Sequence, residues 1–216
     1  MKLHYGICSG NSARACFGLL EAGVSFEPVL VDTRAQENLS AGYLALNPMG
    51  KIPALSDGDF QLWESNAINI YAAEKQPGRK LIPATPRGRA SMQRWLFFQS
   101  AHVSPACLPV FRAANPRVLK FWRIANPDHA AAERGRKELA RFLPVLEAAL
   151  EGRDWLEGDV SLADIAYAPH LVLIEEAGFD YSPYPRVRAW LARLTARPAW
   201  REVAARIFAP IDSIPS

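Results

Sequence analysis

The sequence predicts two domains: an α/β domain over residues 1–77 and an all-helical domain over residues 88–216. Near the start of the chain, two short apolar segments flank a helical pattern, which is the order of a βαβ unit. A segment rich in proline and glycine at residues 78–87 then predicts a linker. Beyond it, apolar residues recur only at helical spacing, so we expect no further strand.

The composition limits the classes of function. Half of the 216 residues are apolar, which is ample for a buried core, and the net charge of +3 is too small to favour a nucleic acid or a membrane surface as partner. Three cysteines without Cys-x-x-Cys spacing argue against a disulfide scaffold and for a reducing cytoplasm. We find neither an apolar run of signal-peptide type nor about 18 uncharged apolar residues in a row, so no membrane helix is expected.

The first three elements follow from apolar spacing. Residues 2–7 form a short strand, and residues 26–31 form a second. Between them, Ser12–Ala22 has an apolar face at helical spacing, and Gly23 supplies the stop. Two strands joined through a helix are expected to lie parallel, with a right-handed crossover.

The rest of the α/β domain is a weaker helix, a hairpin and a final helix. Residues 39–46 form the weaker helix, which Pro48 ends. Asp57-Gly58-Asp59 predicts a tight turn that leads into a return strand over Phe60–Trp63. A helix over residues 66–75 completes the order βαβ, α, ββα, which is that of a thioredoxin-like domain.

Prolines and caps punctuate the helical domain. A long amphipathic helix is predicted over residues 88–114, with Pro105 and Pro109 kinking or splitting it. Ser161-x-x-Asp164 forms a capping box, so a structural role for this acid is favoured over a catalytic one. Pro169 is expected to kink the helix that begins there. Further helices are predicted over residues 130–150 and 184–203.

Two motifs point to a ligand. Asn47–Leu55 reads Asn-Pro-Met-Gly-Lys-Ile-Pro-Ala-Leu, and Leu62–Ile68 reads Leu-Trp-Glu-Ser-Asn-Ala-Ile. The proline of the first motif predicts either an edge strand or a cis peptide bond. Ser65 is a natural helix N-cap, and a helix start binds anions through its free N–H groups. An exposed strand backbone beside an anion site suits a short peptide that carries carboxylates.

These motifs closely resemble the two glutathione-site signatures of the glutathione transferase family, and the match is densest over the first 75 residues. The resemblance implies a cis Pro53, and an Ile52 backbone that pairs with the cysteinyl amide groups of glutathione. It also implies that Glu64 and Ser65 hold the γ-glutamyl end and that Lys51 reaches the other end. Family members are usually homodimers, in which the thioredoxin-like domain of one subunit faces the helices of the other.

The loop between the first strand and the first helix is the expected place for chemistry. Ser9 is the first candidate, because Ser9-Gly10-Asn11 resembles the turn whose serine faces the thiol in many bacterial transferases. Asn11, which can donate its amide, is second, and Tyr5 is third. A thiol with a pKa of about 8.5 is little ionised at pH 7, and one hydroxyl hydrogen bond with a helix N-terminus can lower that pKa sufficiently. Ser12 is interpreted as the helix N-cap.

Cys8 carries the competing hypothesis. A cysteine at a helix start is acidified and can attack disulfides, which would make the protein a glutathione-dependent reductase. Packing under the loop is the favoured interpretation of this side chain, as it is of Cys16 on the apolar face of the first helix. A non-catalytic glutathione-binding scaffold is the third alternative.

The predicted activity is conjugation of the glutathione thiolate to hydrophobic electrophiles. Glutathione is the co-substrate, and the mechanism needs neither a general base nor a metal. Phe98 and His102, on the long helix, are candidates for the electrophile pocket, although core packing is the commoner role for such residues. Phe111 and Trp95 are also candidates for the electrophile pocket, and core packing is again the commoner role. The sequence does not identify the electrophile.

Overall fold

The computed structural model describes residues 1–208, so residues 209–216 of the expected helical domain lie outside the described part. Its four strands are β1 (Lys2–Tyr5), β2 (Glu27–Leu30), β3 (Ala54–Asp57) and β4 (Phe60–Trp63). They form one sheet in the order β2-β1-β3-β4, with β1 and β2 parallel and the other pairs antiparallel. The proline at residue 53 therefore precedes an interior strand, not an edge strand, and the Ile52–Pro53 peptide bond is cis.

Three α-helices complete the thioredoxin-like domain: α1 (Gly10–Ala22), α2 (Ala41–Leu46) and α3 (Ser65–Lys75). Helices α1 and α3 pack closely, and an added Cβ on Gly18 would lie 2.1 Å from the side chain of Asn69. Phe17 of α1 and Ile68 of α3 are fully buried. The predicted helix over residues 39–46 is shorter than expected, because a 3₁₀ turn occupies Glu37–Leu39.

Two predicted helix caps are wrong. Ser9, not Ser12, is the N-cap of α1: its Oγ accepts a hydrogen bond from the backbone N–H of Ser12 at 3.2 Å. Ser12 lies one turn inside the helix, where its Oγ accepts from Gly6 N. Ser65 is the first residue of α3 and Glu64 occupies the N-cap position, with no side-chain cap. Glycine in a left-handed conformation (Gly23, φ 69°) ends α1 as predicted.

The helical domain contains eight described α-helices: α4 (Pro86–Phe98), α5 (Ser104–Ala114), α6 (Pro116–Trp122), α7 (His129–Ala149), α8 (Leu162–Ile165), α9 (Ala168–Glu176), α10 (Pro185–Thr195) and α11 (Pro198–Ile207). The predicted long helix is split, because a π-helical segment over Gln99–Val103 separates α4 from α5. Pro105 lies in the first turn of α5, where its missing N–H costs little. The sequence analysis missed α6. None of the helices within residues 1–208 is long and apolar enough to cross a membrane.

The predicted capping box at α8 is confirmed. The Asp164 carboxylate accepts hydrogen bonds from the backbone N–H groups of Ser161 and Leu156 and from Trp190 Nε1, all within 3.0 Å. Burial raises the pKa of this carboxyl, and those donors oppose the increase. Asp164 is thus a structural acid that joins three segments. The helix beyond it breaks before Pro169, which lies in the first turn of α9.

One continuous apolar core runs through both domains, from Leu3 of the sheet to Trp190 of α10. Helix α1 packs against α9 and α11 as well as against α3. The loop that precedes α1 is consequently held where the two domains meet.

Candidate active site

A cleft of about 420 Å³ opens between the β1–α1 loop (residues 6–9) and the helical domain. The α1 side of the cleft is formed by Cys8, Ser9, Gly10 and Asn11. Lys51 and Ile52 line the sheet side. Thr33, Asn38 and Gly50 also line the cleft from the thioredoxin-like domain. The helical domain contributes Leu108, Phe111, Arg112, Trp122 and His170.

Ser9 lies half-buried at the N-terminus of α1 and faces this cleft. Because its Oγ accepts from Ser12 N, the hydroxyl proton is left to donate to something else. No acceptor for that proton lies within residues 1–208. A donor at the positive end of a helix dipole is suited to an anion. Tyr5, the third sequence candidate, ends β1 and is not part of the cleft wall.

The Asn47–Leu55 motif folds into a tight loop. The Asn47 side chain accepts from Met49 N and donates to Lys51 O, and Tyr43 Oη also donates to Lys51 O at 2.7 Å. Gly50 adopts φ 60°, which favours glycine. These bonds place Lys51 in the cleft with its side chain exposed.

Ile52 continues this loop with an unpaired backbone. Its N–H and C=O make no hydrogen bond to any of residues 1–208. The side chain packs on Gly6, where an added Cβ would lie 2.3 Å from Ile52 Cδ1. A polar backbone left unpaired at the edge of a cleft is available to a peptide ligand.

Behind the cleft lies a buried arginine that the sequence analysis missed. Arg14, on α1, uses all five donor positions of its guanidinium, and burial lowers its pKa to about 10, so it stays a cation at neutral pH. Nε donates to Ala166 O, and the terminal nitrogens donate to Asn11 Oδ1, Ser65 Oγ, Ser104 Oγ and His170 Nδ1 at 2.9–3.0 Å. The sequence did contain a signal for this buried arginine, because it stands among Ala13, Ala15 and Phe17 on an otherwise apolar helix.

Glu64 and Ser65 are not part of the cleft wall, although Arg14 connects Ser65 to it. Ser65 is buried, and Glu64 is exposed with φ 70° and ψ 111°. A non-glycine residue with positive φ is strained by about 1–3 kcal/mol, and such strain is concentrated at functional sites.

Buried polar oxygens without a hydrogen-bond partner are a second sign of a functional site. Two of them, Thr33 Oγ1 and Asn38 Oδ1, belong to residues that line the cleft.

The Cys8 thiol is buried against Phe121, and this burial raises its pKa to about 11. The backbone of this residue is also left-handed, with φ 55°, and its N–H donates to Ile207 O. A thiol in this state is almost entirely protonated at neutral pH. Burial and the raised pKa favour the packing interpretation over the nucleophile interpretation. Cys16 and Cys107 are likewise free and buried.

The expected electrophile-pocket residues lie elsewhere. His102 and Phe98 cluster with Phe142, with ring centroids 5.3–5.8 Å apart, beside a separate groove between α5 and α7. Trp95 is buried in the core. Phe111 is the one aromatic residue considered in the sequence analysis that lines the cleft. Phe98 and His102 instead pack against Phe142 of α7, which is the packing role that the sequence analysis named as the commoner one.

Two family models match the chain. "Glutathione S-transferase, N-terminal domain" matches residues 1–74, and "Glutathione S-transferase, C-terminal domain" matches residues 130–193. The chain belongs to the glutathione S-transferase family. The resemblance inferred from the two sequence motifs is thereby confirmed.

Similar members of the glutathione S-transferase family align over nearly the whole length of the chain. "Glutathione S-transferase F10" of Arabidopsis thaliana is 36% identical, covering 96% of this chain and 98% of its own. "Glutathione S-transferase 3" of Zea mays is 37% identical, covering 100% and 97%. The solved structure of a glutathione S-transferase-I bound with lactoylglutathione superposes with a TM-score of 0.85 at 30% identity, covering 94% of this chain and 98% of its own.

Proposed function

We propose that the protein conjugates the thiolate of glutathione to hydrophobic electrophiles, with Ser9 as the donor that stabilises the thiolate. The observation that carries this proposal is the position of Ser9, at the N-terminus of α1, with its hydroxyl proton uncommitted. Lowering a thiol pKa by about 2 units requires about 2.7 kcal/mol, and one hydrogen bond to a charged group supplies about 1.5–3 kcal/mol. The thiolate then attacks an electrophilic carbon.

The proposed glutathione site uses the elements around that serine. The unpaired backbone of Ile52, beside Pro53, pairs with the cysteinyl amide groups. Lys51 binds the glycyl carboxylate, which suits its exposed ammonium at the cleft. Glu64 and Ser65 hold the γ-glutamyl end at the start of α3, where the first N–H groups of the helix are free to bind a carboxylate.

Asn11 is the proposed second donor to the thiol. Its Oδ1 is fixed by Arg14, which leaves Nδ2 without a partner among residues 1–208. A reductase that uses Cys8 is disfavoured, because its buried thiol has a raised pKa. The electrophile is proposed to bind against Leu108, Phe111 and Trp122, which supply the apolar part of the cleft wall.

The wider setting is also proposed. We divide the chain into a thioredoxin-like domain over residues 1–77, a linker over residues 78–87 and a helical domain from residue 88. Phe60 on β4 and Phe97 on α4 are exposed by 44% and 69%, which supports a homodimer in which one subunit's sheet edge faces the other's helices. We place the enzyme in the cytoplasm, as a scavenger of electrophiles.

The test is an ultraviolet difference titration of the thiolate with bound glutathione from pH 5 to 9. Wild-type protein is expected to hold the thiol with a pKa about 2 units below that of free glutathione. Ser9→Ala is expected to raise the pKa of the bound thiol most of the way back to that of free glutathione, while the affinity for glutathione stays within about threefold of wild type. The matched control is Ser100→Ala, at an exposed serine on the π-helical segment. Binding with an unshifted pKa in wild-type protein would contradict thiol activation.

A further inference from the structure

His170 brings the helical domain into contact with the start of α1. It is the third residue of α9 and only 5% exposed, and its ring lines the cleft beside Phe111. The ring lies directly on Gly10: an added Cβ there would be 2.8 Å from His170 Cε1 and 3.0 Å from Nε2. Glycine at this position therefore lets an imidazole reach the N-terminus of the helix that carries Ser9.

Arg14 determines which nitrogen of His170 carries the proton. Its Nη2 lies 3.0 Å from His170 Nδ1, and a guanidinium can only donate, so Nδ1 must accept. The neutral ring then has its proton on Nε2. Burial, reinforced by the Arg14 charge, lowers the pKa of His170 well below its usual value and keeps the ring neutral. Nε2 makes no hydrogen bond within residues 1–208.

An N–H group without a partner on the wall of a cleft is suited to bind an anion there. The anion that the proposed function places beside Ser9 and Gly10 is the glutathione sulfur. We propose that His170 is a second-domain hydrogen-bond donor to that sulfur, with Nε2–H acting alongside the Ser9 hydroxyl. This inference rests on the proposed function and adds to it a residue from the helical domain.

A neutral imidazole suits this role for a chemical reason. An imidazolium would be acidic enough to return its proton to the thiolate, whereas a neutral ring donates a hydrogen bond and keeps its proton. In the conjugation step the sulfur lone pair forms the bond to carbon, and the bond to the leaving group breaks with its electron pair. His170 transfers no proton in this step, and its hydrogen bond weakens as charge leaves the sulfur.

The test compares His170→Phe with His170→Gln in the thiolate titration. His170→Phe removes the donor and is expected to raise the pKa of the bound thiol by about one unit. Conjugation at pH 6.5 then falls about tenfold, whereas the rate at pH 9 changes by less than about threefold. His170→Gln retains an N–H donor at similar reach and is expected to recover at least half of the pKa shift. His129→Phe, at the exposed start of α7, is the matched control.

A measurement on unmodified protein covers the case in which His170→Phe does not fold. In histidine-labelled wild-type protein, the Nε2–H proton resonance of His170 is expected to move downfield when glutathione binds. An unmoved resonance, or an unchanged thiol pKa in folded His170→Phe, overturns the assignment of His170. If Ser9→Ala raises the thiol pKa and His170→Phe does not, only this inference fails. If wild-type protein shows no lowered thiol pKa, the proposed function itself fails.

Discussion

Arg14 Nη1 lies 2.9 Å from Ser65 Oγ and 3.0 Å from Asn11 Oδ1, so a single nitrogen joins the start of α3 to the start of α1. Both helix starts belong to the proposed glutathione site. The other terminal nitrogen reaches Ser104 and His170 in the helical domain. The guanidinium thus fixes the relative positions of groups from four helices, α1, α3, α5 and α9.

Arg14→Lys is expected to lower the free energy of unfolding by at least about 2 kcal/mol, because an ammonium has three donors in place of five and leaves buried acceptors unpaired. Urea denaturation measures the change. Arg89→Lys, at an exposed position on α4, is the control and should change stability by less than about 0.5 kcal/mol. Equal stability of the two variants would mean that the network around Arg14 is not structural.

Cys8→Ala is expected to leave the conjugation rate within about twofold of wild type, because the thiol is buried and its pKa lies near 11. At pH 7.5 fewer than about one Cys8 side chain in a thousand is a thiolate. Native protein should accordingly react with iodoacetamide at Cys8 at least about tenfold more slowly than free glutathione does. Mass spectrometry after timed alkylation measures this rate, and rapid labelling of Cys8 would revive the reductase hypothesis.

His170 should make the protein less stable in acid. Its pKa is lowered in the folded state, so below about pH 6.5 the unfolded chain takes up a proton that the folded chain does not. The free energy of unfolding then falls as the pH falls, by up to about 1.4 kcal/mol per pH unit. Arg14 is the charged group in direct contact with the ring, and it favours the neutral form throughout this range.

The difference between wild type and His170→Phe isolates that contribution. Urea denaturation from pH 5 to 7.5 should give a shallower pH dependence for His170→Phe, while Ser100→Ala, which removes no titratable group, should keep the wild-type slope. Identical slopes for wild type and His170→Phe would show that His170 has the same affinity for protons in both states.

Asp164→Asn is expected to destabilise the fold by about 2–4 kcal/mol, since its carboxylate accepts from two backbone N–H groups and from Trp190. Thermal unfolding measures the loss, and Asp159→Asn, at an exposed position in the preceding loop, is the control. The conjugation rate of folded Asp164→Asn should match wild type well below its melting temperature. A selective loss of rate would instead indicate a catalytic acid.

Phe97→Asp is expected to shift the proposed homodimer towards monomer, because a charge at the centre of an apolar contact must be desolvated. Sedimentation velocity across a range of protein concentrations measures the change. Val145→Asp replaces a side chain on α7 that is 46% exposed, and it should leave the association state unaltered. A monomeric wild-type protein would contradict the homodimer directly.

Most strands and helices could be predicted from local patterns. The return strand Phe60–Trp63 was predicted without error, because a turn of fixed chemistry precedes it. The cap at Ser12 was wrong because Ser9 and Ser12 satisfy the same local rule, and only the packed chain selects between them. The cap at Ser65 was wrong because Glu64 adopts a positive φ and the helix already begins at Ser65. Helix α6 was missed because it is short and its apolar residues bury against distant elements.

The sequence by itself determined the family, the order of elements and the loop in which chemistry is proposed, because these depend on short motifs and on periodicity. Only the tertiary structure placed Arg14 and His170 at the cleft and moved Phe98 and His102 away from it. Local patterns record which side chains can form a helix, not which faces meet after packing. The faces that meet are set by the packing of α1 against α9, which depends on contacts between residues more than 150 positions apart in the chain.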